Sequence, residues 1–138
     1  MIVIDASVAL KWIKEEELFR DKALELFQNH KTDKNQIIVP DLIYIEVSNV
    51  LVTKSSFTDD NVKQALRFLF KAELKNYELS EKYLVDTSVL AKKYQTSVYD
   101  MLYAVIAKKL KTVLITADVK FIQKTNFPYV KLLSEYST

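Results

Sequence analysis

Four carboxylates occupy positions where a parallel α/β sheet would bring them together: Asp5, Glu46, Asp100 and Asp118. Asp5 follows the apolar segment 1–4, and Asp118 follows the β-type segment 113–116. Ligand clefts of such sheets lie at the carboxyl ends of the strands, so both aspartates should face one cleft. Grouped carboxylates repel one another and favour a bound cation, for which Mg2+ or Mn2+ is the natural choice. The pattern therefore indicates a divalent-metal site suited to phosphodiester chemistry.

Glu46 lies in a segment that is otherwise mostly apolar, residues 42–51, after Pro40. The segment predicts a helix that is apolar on nearly all sides and therefore largely buried. An unpaired carboxylate is costly in such a place, whereas one that binds a metal is not. Asn49 lies three residues further on and should share the helix face of Glu46. The alternative is a salt bridge from Glu46 to a lysine on a partly exposed face.

Each aspartate also has a purely structural interpretation. Asp5 and Asp118 could each cap a helix that follows directly. Asp100 lies three residues after Ser97, which is the spacing of a capping box. For Asp100 the two interpretations are compatible, because a carboxylate in the first turn of a helix can still direct an oxygen into a neighbouring cleft.

The composition excludes several classes of function. The chain has no glycine, so glycine-rich phosphate loops and dinucleotide fingerprints are absent, and ATPase, GTPase, kinase and NAD-linked functions are poor candidates. It also has no cysteine, which excludes disulfides and thiol catalysis. The single histidine, His30, is predicted to be a surface residue near a helix end. Any active site must therefore use oxygen ligands.

Candidates for nucleic-acid contacts are less specific. The net charge of +2 is too small to argue for polyanion binding. Lys11 and Lys14 lie near the expected cleft edge and could contact a phosphate backbone, or they could be ordinary solvated residues. Four aromatic residues could stack on bases, but their helical spacing favours the core: Trp12, Tyr44, Tyr99 and Tyr103.

Short β-type segments alternate with helical patterns along the chain. The predicted strands are 2–4, 37–39, 77–79, 113–115 and 129–132, of which the third is weak. Thr58, Ser80 and Ser97 are predicted to start helices. The alternation predicts one domain over residues 1–138, a three-layer α/β/α sandwich on a parallel sheet of about five strands.

The sequence has no pattern typical of a signal peptide at its N-terminus. No segment approaches the roughly 18 apolar residues that a membrane-spanning helix needs. We therefore expect a cytoplasmic protein without membrane contact.

Four segments together resemble the PIN-domain ribonucleases, and in particular the VapC-type toxins of toxin-antitoxin pairs. The segments are 4–12, 40–51, 97–103 and 114–118, and they contain the four carboxylates in order. Each segment is weakly specific alone, but the four at these separations cover essentially the whole chain. The resemblance implies a PIN-like α/β/α fold.

The resemblance also implies roles for individual residues. Asp5, Glu46, Asp100 and Asp118 would form the acidic catalytic and metal site, supported by Ser7, Asn49 and Thr116. Such enzymes cut RNA with Mg2+ or Mn2+ and use water as the nucleophile. VapC-like members commonly form homodimers and are inhibited by a small antitoxin protein. PIN domains also act in ribosomal RNA maturation and RNA decay, so the subfamily stays open.

Three other functions are compatible with a strand-end aspartate. A receiver-type signalling domain would need a further acidic pair after the first strand, and none is present. A phosphatase of the haloacid dehalogenase type would need a second aspartate where the chain has Ser7. A degenerate nuclease fold that only binds RNA or protein stays open, because sequence alone does not establish that the pocket assembles.

Overall fold

Five short parallel strands form the centre of the protein, described here for residues 1–138 by a computed structural model. The strands are β1 (Ile2–Ile4), β2 (Ile37–Val39), β3 (Lys75–Asn76), β4 (Leu114–Thr116) and β5 (Val130–Leu132). Their order across the sheet is β3-β2-β1-β4-β5, and every neighbouring pair is parallel. The chain thus adds strands on one side of β1 and then crosses to the other side.

Seven α-helices connect and cover these strands. They are α1 (Ala6–Ile13), α2 (Arg20–Lys31), α3 (Leu42–Thr53), α4 (Asp59–Lys71), α5 (Glu81–Tyr94), α6 (Val98–Lys109) and α7 (Val119–Thr125). All residues of β1, β2 and β4 are buried. Because successive strand residues point to opposite faces, helices must cover both faces of the sheet. This confirms the predicted α/β/α architecture. None of the helices combines the length and apolarity needed to cross a membrane.

The predicted helix starts are confirmed by their caps. The Thr58 side chain accepts a hydrogen bond from the Asn61 backbone N–H, and the Asn61 side chain accepts one from Thr58. Ser80 and Ser97 cap α5 and α6 by accepting hydrogen bonds from the backbone N–H groups of Tyr83 and Asp100. These caps satisfy backbone donors that the first helical turn leaves free.

Glycine-free turns place other residues in the left-handed backbone region. Phe19, Asp33, Glu73, Gln95, Lys111 and Asn126 have φ between 50° and 59°. Gln95 and Asn126 are the C-caps of α5 and α7, and Phe19 precedes α2. Left-handed geometry of this kind usually favours glycine at helix ends. At these helix ends the protein therefore uses residues with a side chain in place of glycine.

The third strand differs from the prediction of residues 77–79. It covers Lys75–Asn76 and pairs with β2 at the edge of the sheet, with both residues exposed. Tyr77 continues the pairing through one backbone hydrogen bond to Val39, at 2.8 Å. An exposed two-residue edge strand needs no apolar pattern, so its position could not be predicted from the hydrophobicity of the sequence.

The prediction that α3 is largely buried was wrong. One stripe of the helix is buried, formed by Ile43, Val47 and Leu51. Ile45 and Val52 are 67% and 70% exposed. The stripe has the four-residue spacing of a helix that packs on one side only. Leu42, Tyr44 and Val50 are partly buried against the core.

His30 is buried at 7% exposure, so the prediction of a surface residue was wrong. Its Nδ1 accepts a hydrogen bond from the Ile37 backbone N–H at 3.0 Å. Its Nε2 therefore carries the hydrogen and faces the carbonyl oxygens of Ala72 and Glu73 at 3.0 and 3.2 Å. The ring connects the start of β2 to the residues that follow α4. Because both ring nitrogens make hydrogen bonds, His30 has a structural role.

Candidate active site

The acidic pocket lies where the strand order reverses. The chain runs from β1 to β2 on one side and later returns to β4 on the other side of β1. Clefts in open α/β sheets form at such a point, beyond the carboxyl ends of the two strands. Asp5 directly follows β1, and Asp118 lies two residues after β4. This reversal of strand order between β2 and β4 is the switch point of the sheet. The fold thus places both aspartates in one cleft there, and one cleft for both is what the sequence predicted.

Asp5 is held by hydroxyl groups from both sides. Ser7 Oγ donates to Asp5 Oδ1 at 2.5 Å, and Thr116 Oγ1 donates to Asp5 Oδ2 at 2.5 Å. The Ser7 backbone N–H also donates to Oδ1 at 3.0 Å, so Asp5 caps α1. Asp5 therefore caps α1 and faces the pocket at the same time.

The same two hydroxyls accept hydrogen bonds from the turn that follows β4. Ser7 Oγ accepts from the Ala117 N–H at 2.9 Å, and Thr116 Oγ1 accepts from the Asp118 N–H at 3.0 Å. Asp118 Oδ1 in turn caps α7 by accepting from the Phe121 N–H at 3.0 Å. These bonds lock the turn after β1 and the turn after β4 into one unit, which fixes the relative position of the two aspartates.

Glu46 reaches the pocket from α3 and has one side-chain partner. Tyr103 on α6 donates its hydroxyl to Glu46 Oε1 at 2.6 Å. Tyr103 is 1% exposed, and it lies one turn after Asp100 on the same helix. Sequence analysis favoured a core role for Tyr103 and did not predict this contact. The available signal was the three-residue spacing from Asp100, which puts both side chains on one helix face.

These residues line a cavity of about 540 Å³. Its wall includes all four predicted carboxylates, together with Ser7 and Asn49. Thr116 is fully buried behind Asp5 and does not line the cavity. The structure thus brings together six of the seven predicted acidic and supporting residues in the cavity wall and places the seventh directly against Asp5.

The carboxyl groups influence one another's protonation. The pKa of Asp5 is raised to about 6, chiefly by burial and additionally by the negative charge of Asp100, although hydrogen bonds from Ser7 and Thr116 act against the rise. Burial also raises the pKa of Glu46, with repulsion from Asp100 and Asp5 adding to it. The pKa of Asp100 is raised by burial and by the charge of Asp118. A bound cation would relieve this repulsion.

The donor set fits a hard divalent cation that keeps part of its water shell. No three His, Cys, Asp or Glu side chains are grouped closely enough to hold a metal between them. Mg2+ does not require such a cage, because it usually takes one or two carboxylates and completes its shell with water and substrate phosphate. The four carboxylates in the cavity wall can supply such oxygen ligands.

The predicted lysines lie elsewhere. Lys11 is buried at 7% exposure, and Lys14 lines a separate cavity with Trp12 and Phe68. Neither lysine lines the acidic pocket, and their role in RNA binding stays a prediction. The cation in the wall of the acidic pocket is Lys54, which sequence reasoning missed. Lys54 is the C-cap residue of α3 and lies four residues after Val50, which lines the same pocket.

Among the four aromatic candidates, the expectation of core positions is only partly met. Trp12 and Tyr103 are buried, whereas Tyr44 is half-buried. Tyr99 is 59% exposed and lines the acidic pocket. For Tyr99 the prediction of a core residue was wrong.

The parallel sheet and its switch-point pocket define an α/β protein with an acidic site. The PIN domain family model matches residues 2–126, and the chain belongs to this family. This confirms the resemblance seen in the sequence. PIN domains are generally nucleases, which agrees with the acidic pocket.

Two solved structures share the fold. The protein PAE2754 from Pyrobaculum aerophilum has a TM-score of 0.70 and 20% identity, over 96% of this chain and 90% of that chain. A toxin-antitoxin complex from Klebsiella pneumoniae has a TM-score of 0.70 and 15% identity, over 100% of both chains. No curated protein matches the sequence.

Proposed function

We propose that this protein is a metal-dependent endoribonuclease whose site contains Asp5, Glu46, Asp100 and Asp118, acting as one nuclease domain over residues 1–138. The observation that carries the proposal is the convergence of these carboxylates, from four separate parts of a PIN-domain chain, on one cavity at the switch point. Helix capping accounts in part for the positions of Asp5 and Asp118. It does not explain why Glu46 faces the same cavity.

The proposed chemistry divides between a bound ion and the protein. Mg2+ or Mn2+ would neutralise the phosphate and make a water molecule a better nucleophile. Asp5 would contribute a fixed carboxylate, because hydroxyls hold both of its oxygens. Glu46 keeps one oxygen free of Tyr103 and has a raised pKa, so it is suited to accept a proton from the attacking water. Attack on phosphorus would break the bond to the leaving ribose oxygen, which would then take up a proton from solvent water.

We further propose that the protein acts as the toxin of a toxin-antitoxin pair, with a small antitoxin as its partner. The support is the resemblance to VapC-type toxins in the sequence motifs, together with the shared fold of a chain from a toxin-antitoxin complex. A homodimer and a cytoplasmic location belong to the same proposal. A PIN nuclease of RNA processing or decay is the alternative, as is an inactive binding module on this fold.

The first test is cleavage of a panel of single-stranded and structured RNAs with Mg2+, Mn2+ or EDTA. Wild-type protein should cut RNA only with metal, and Asp5→Asn should reduce the rate by roughly 10²- to 10³-fold or more. Asp86→Asn is the matched control, since Asp86 is an exposed residue of α5 outside the pocket. Cleavage by Asp5→Asn at the wild-type rate would refute the assignment. RNA binding without cleavage in any metal would favour the inactive binding module.

Co-expression of this protein with the product of its neighbouring gene tests the toxin proposal. Expression of the wild type alone should arrest growth, expression of Asp5→Asn should not, and a small neighbouring protein should restore growth and co-purify with the chain. Normal growth with active nuclease would favour the alternative of RNA processing or decay.

A further inference from the structure

Charge is distributed unevenly along the chain, although the net charge is only +2. Residues 1–86 contain 15 acidic and 12 basic residues. Residues 87–134 contain eight lysines, and their two acidic residues are Asp100 and Asp118 of the proposed site. A charge difference of this kind between two parts of a chain is typical of proteins that bind polyanions such as nucleic acids. The small net charge therefore conceals a strongly basic segment.

Two lysines of this segment lie on α7, which begins at the acidic pocket. Asp118 caps the helix, and Lys120 and Lys124 follow at exposed positions. Because the two lysines are four residues apart, they lie on one face of the helix. Neither lysine lines the pocket. They place positive charge along a path that leaves the pocket and reaches roughly 9 Å from Asp118 along the helix axis.

The end of α5 brings a third lysine to the same surface. Lys124 Nζ donates a hydrogen bond to the carbonyl oxygen of Gln95, the C-cap of α5, at 2.8 Å. The ring of Tyr94 packs edge-on against Phe127, which follows α7, with the centroids 5.0 Å apart. Lys93 Nζ lies 5.5 Å from the centroid of the same Tyr94 ring. These contacts join the ends of α5 and α7 and place Lys93 beside the end of α7.

The charge of these lysines is available to a ligand. All three are exposed, and the hydrogen bond of Lys124 is to a backbone carbonyl, so no carboxylate neutralises it there. That bond uses one of the three N–H donors of the ammonium group. The charge of Lys124 also acts on the pocket, because burial raises the pKa of Asp100 and Lys124 opposes this rise. The three lysines therefore lie next to the pocket.

We propose that Lys93, Lys120 and Lys124, here called the lysine surface, form a second binding site that holds the phosphate backbone of the RNA on one side of the cleaved bond. The proposal rests on the proposed nuclease function, because the ligand is the strand that leaves the acidic pocket. The pocket itself has four carboxylates and one lysine in its wall, so attraction for the backbone must come largely from outside it. Lysines contact phosphates as point charges and read no base sequence. The lysine surface should therefore add affinity for longer RNAs of any sequence.

The test measures binding of a trinucleotide and of a longer RNA with the same central sequence, by fluorescence anisotropy in EDTA. Wild-type protein should bind the longer RNA more tightly. Lys93→Gln combined with Lys120→Gln should weaken that binding by roughly 5- to 30-fold in about 0.1 M salt. The slope of log affinity against log salt should fall by about 1.4, or 0.7 for each phosphate contact. Binding of the trinucleotide should change little. In Mg2+, KM for the longer RNA should rise by a similar factor, with kcat nearly unchanged.

A matched pair of variants separates the lysine surface from net charge. Lys63→Gln combined with Lys71→Gln removes the same charge from exposed positions of α4. This helix connects to the β3 edge of the sheet, whereas α7 connects β4 to β5 at the opposite edge. The α4 pair should therefore keep the affinity for the longer RNA. Lys93→Arg combined with Lys120→Arg keeps the charge and should bind as the wild type does.

The two proposals can fail separately. Equal losses in the two glutamine pairs, no gain in affinity for the longer RNA, or competition by polyglutamate as strong as that by an equally charged RNA would each overturn the lysine surface. Each of these results could occur in a protein that cleaves RNA. Binding of the longer RNA that depends on Lys93 and Lys120, without cleavage in any metal, would support the lysine surface and refute the nuclease.

Discussion

The two walls of the acidic pocket hold their carboxylates in different ways. On the sheet side, Asp5 has a hydroxyl donor on each oxygen, and those hydroxyls are themselves tied to backbone N–H groups. On the helix side, Glu46 has the single donor Tyr103. The sheet side is therefore fixed by a closed network, whereas the helix side depends on one bond between α3 and α6. The two walls should therefore respond differently when a hydrogen-bond donor is removed.

Removal of a hydroxyl from the sheet side should have the largest effect on stability. Thr116→Val keeps the side-chain shape but leaves an Asp5 oxygen and the Asp118 N–H without their partner. Because Thr116 is fully buried, the free energy of unfolding should fall by about 2–4 kcal/mol. Urea unfolding at neutral pH in EDTA measures the change.

Thr116→Ser is the control, since it keeps the hydroxyl and loses one methyl group, at a cost of about 1 kcal/mol. Equal stabilities of Thr116→Val and Thr116→Ser would show that the hydroxyl network does not hold the sheet side together.

The raised pKa of Asp5 predicts how the metal-free protein responds to pH. Its pKa is about 6 in the fold and 3.8 ordinarily, so the ionised carboxylate destabilises the folded state. The stability without metal should therefore fall as pH rises from about 4 through 6. Asp5→Asn should make this fall shallower and raise the free energy of unfolding at pH 7 by about 1–2 kcal/mol, less than the full shift because an amide cannot accept both hydroxyls.

Thermal unfolding between pH 4 and 7, with and without excess Mg2+, checks this prediction. Mg2+ should stabilise the wild type at pH 7 and leave Asp5→Asn nearly unchanged. A wild-type protein that becomes more stable from pH 4 to 6 without metal would contradict the assigned protonation of Asp5.

The helix side should show the smallest loss of stability. Tyr103→Phe removes the donor to Glu46, but the half-buried carboxylate can recover a water molecule. The free energy of unfolding should fall by about 0.5–1.5 kcal/mol. Affinity for Mg2+ should weaken by roughly tenfold, since the remaining carboxylate is less well oriented.

A double-mutant cycle of Tyr103→Phe with Glu46→Ala measures the coupling, which should be about 1 kcal/mol. Tyr136→Phe serves as a control at a half-buried tyrosine outside the pocket. Additive effects of Tyr103→Phe and Glu46→Ala would mean that the contact does not position Glu46.

Features set by short-range patterns were predictable from the sequence. The buried strands β1, β2 and β4 follow from runs of β-type residues, and the starts of α4, α5 and α6 follow from Thr58, Ser80 and Ser97. The positions of Asp5 and Asp118 at one edge of the sheet also followed, because the carboxyl ends of parallel strands meet there.

Features set by contacts between distant segments were not predictable. Tyr103 and Glu46 are 57 residues apart, and His30 and Ala72 are 42 residues apart. Hydrogen bonds of this kind decide the burial of His30 and the partner of Glu46, yet they leave no periodic pattern. Lys11 and Lys54 illustrate the same limit, because the packing around each helix determines which lysine faces the pocket.

The glycine-free turns have a consequence for the unfolded chain. Glycine carries the largest backbone entropy of any residue, and that entropy is lost on folding. A chain without glycine is stiffer when unfolded, so folding costs less conformational entropy per residue. The strain at positions such as Gln95 and Lys111, with φ of 58° and 55°, is the opposing contribution in the folded state. In this protein the restricted denatured ensemble thus favours folding, and the strain at a few helix ends opposes it.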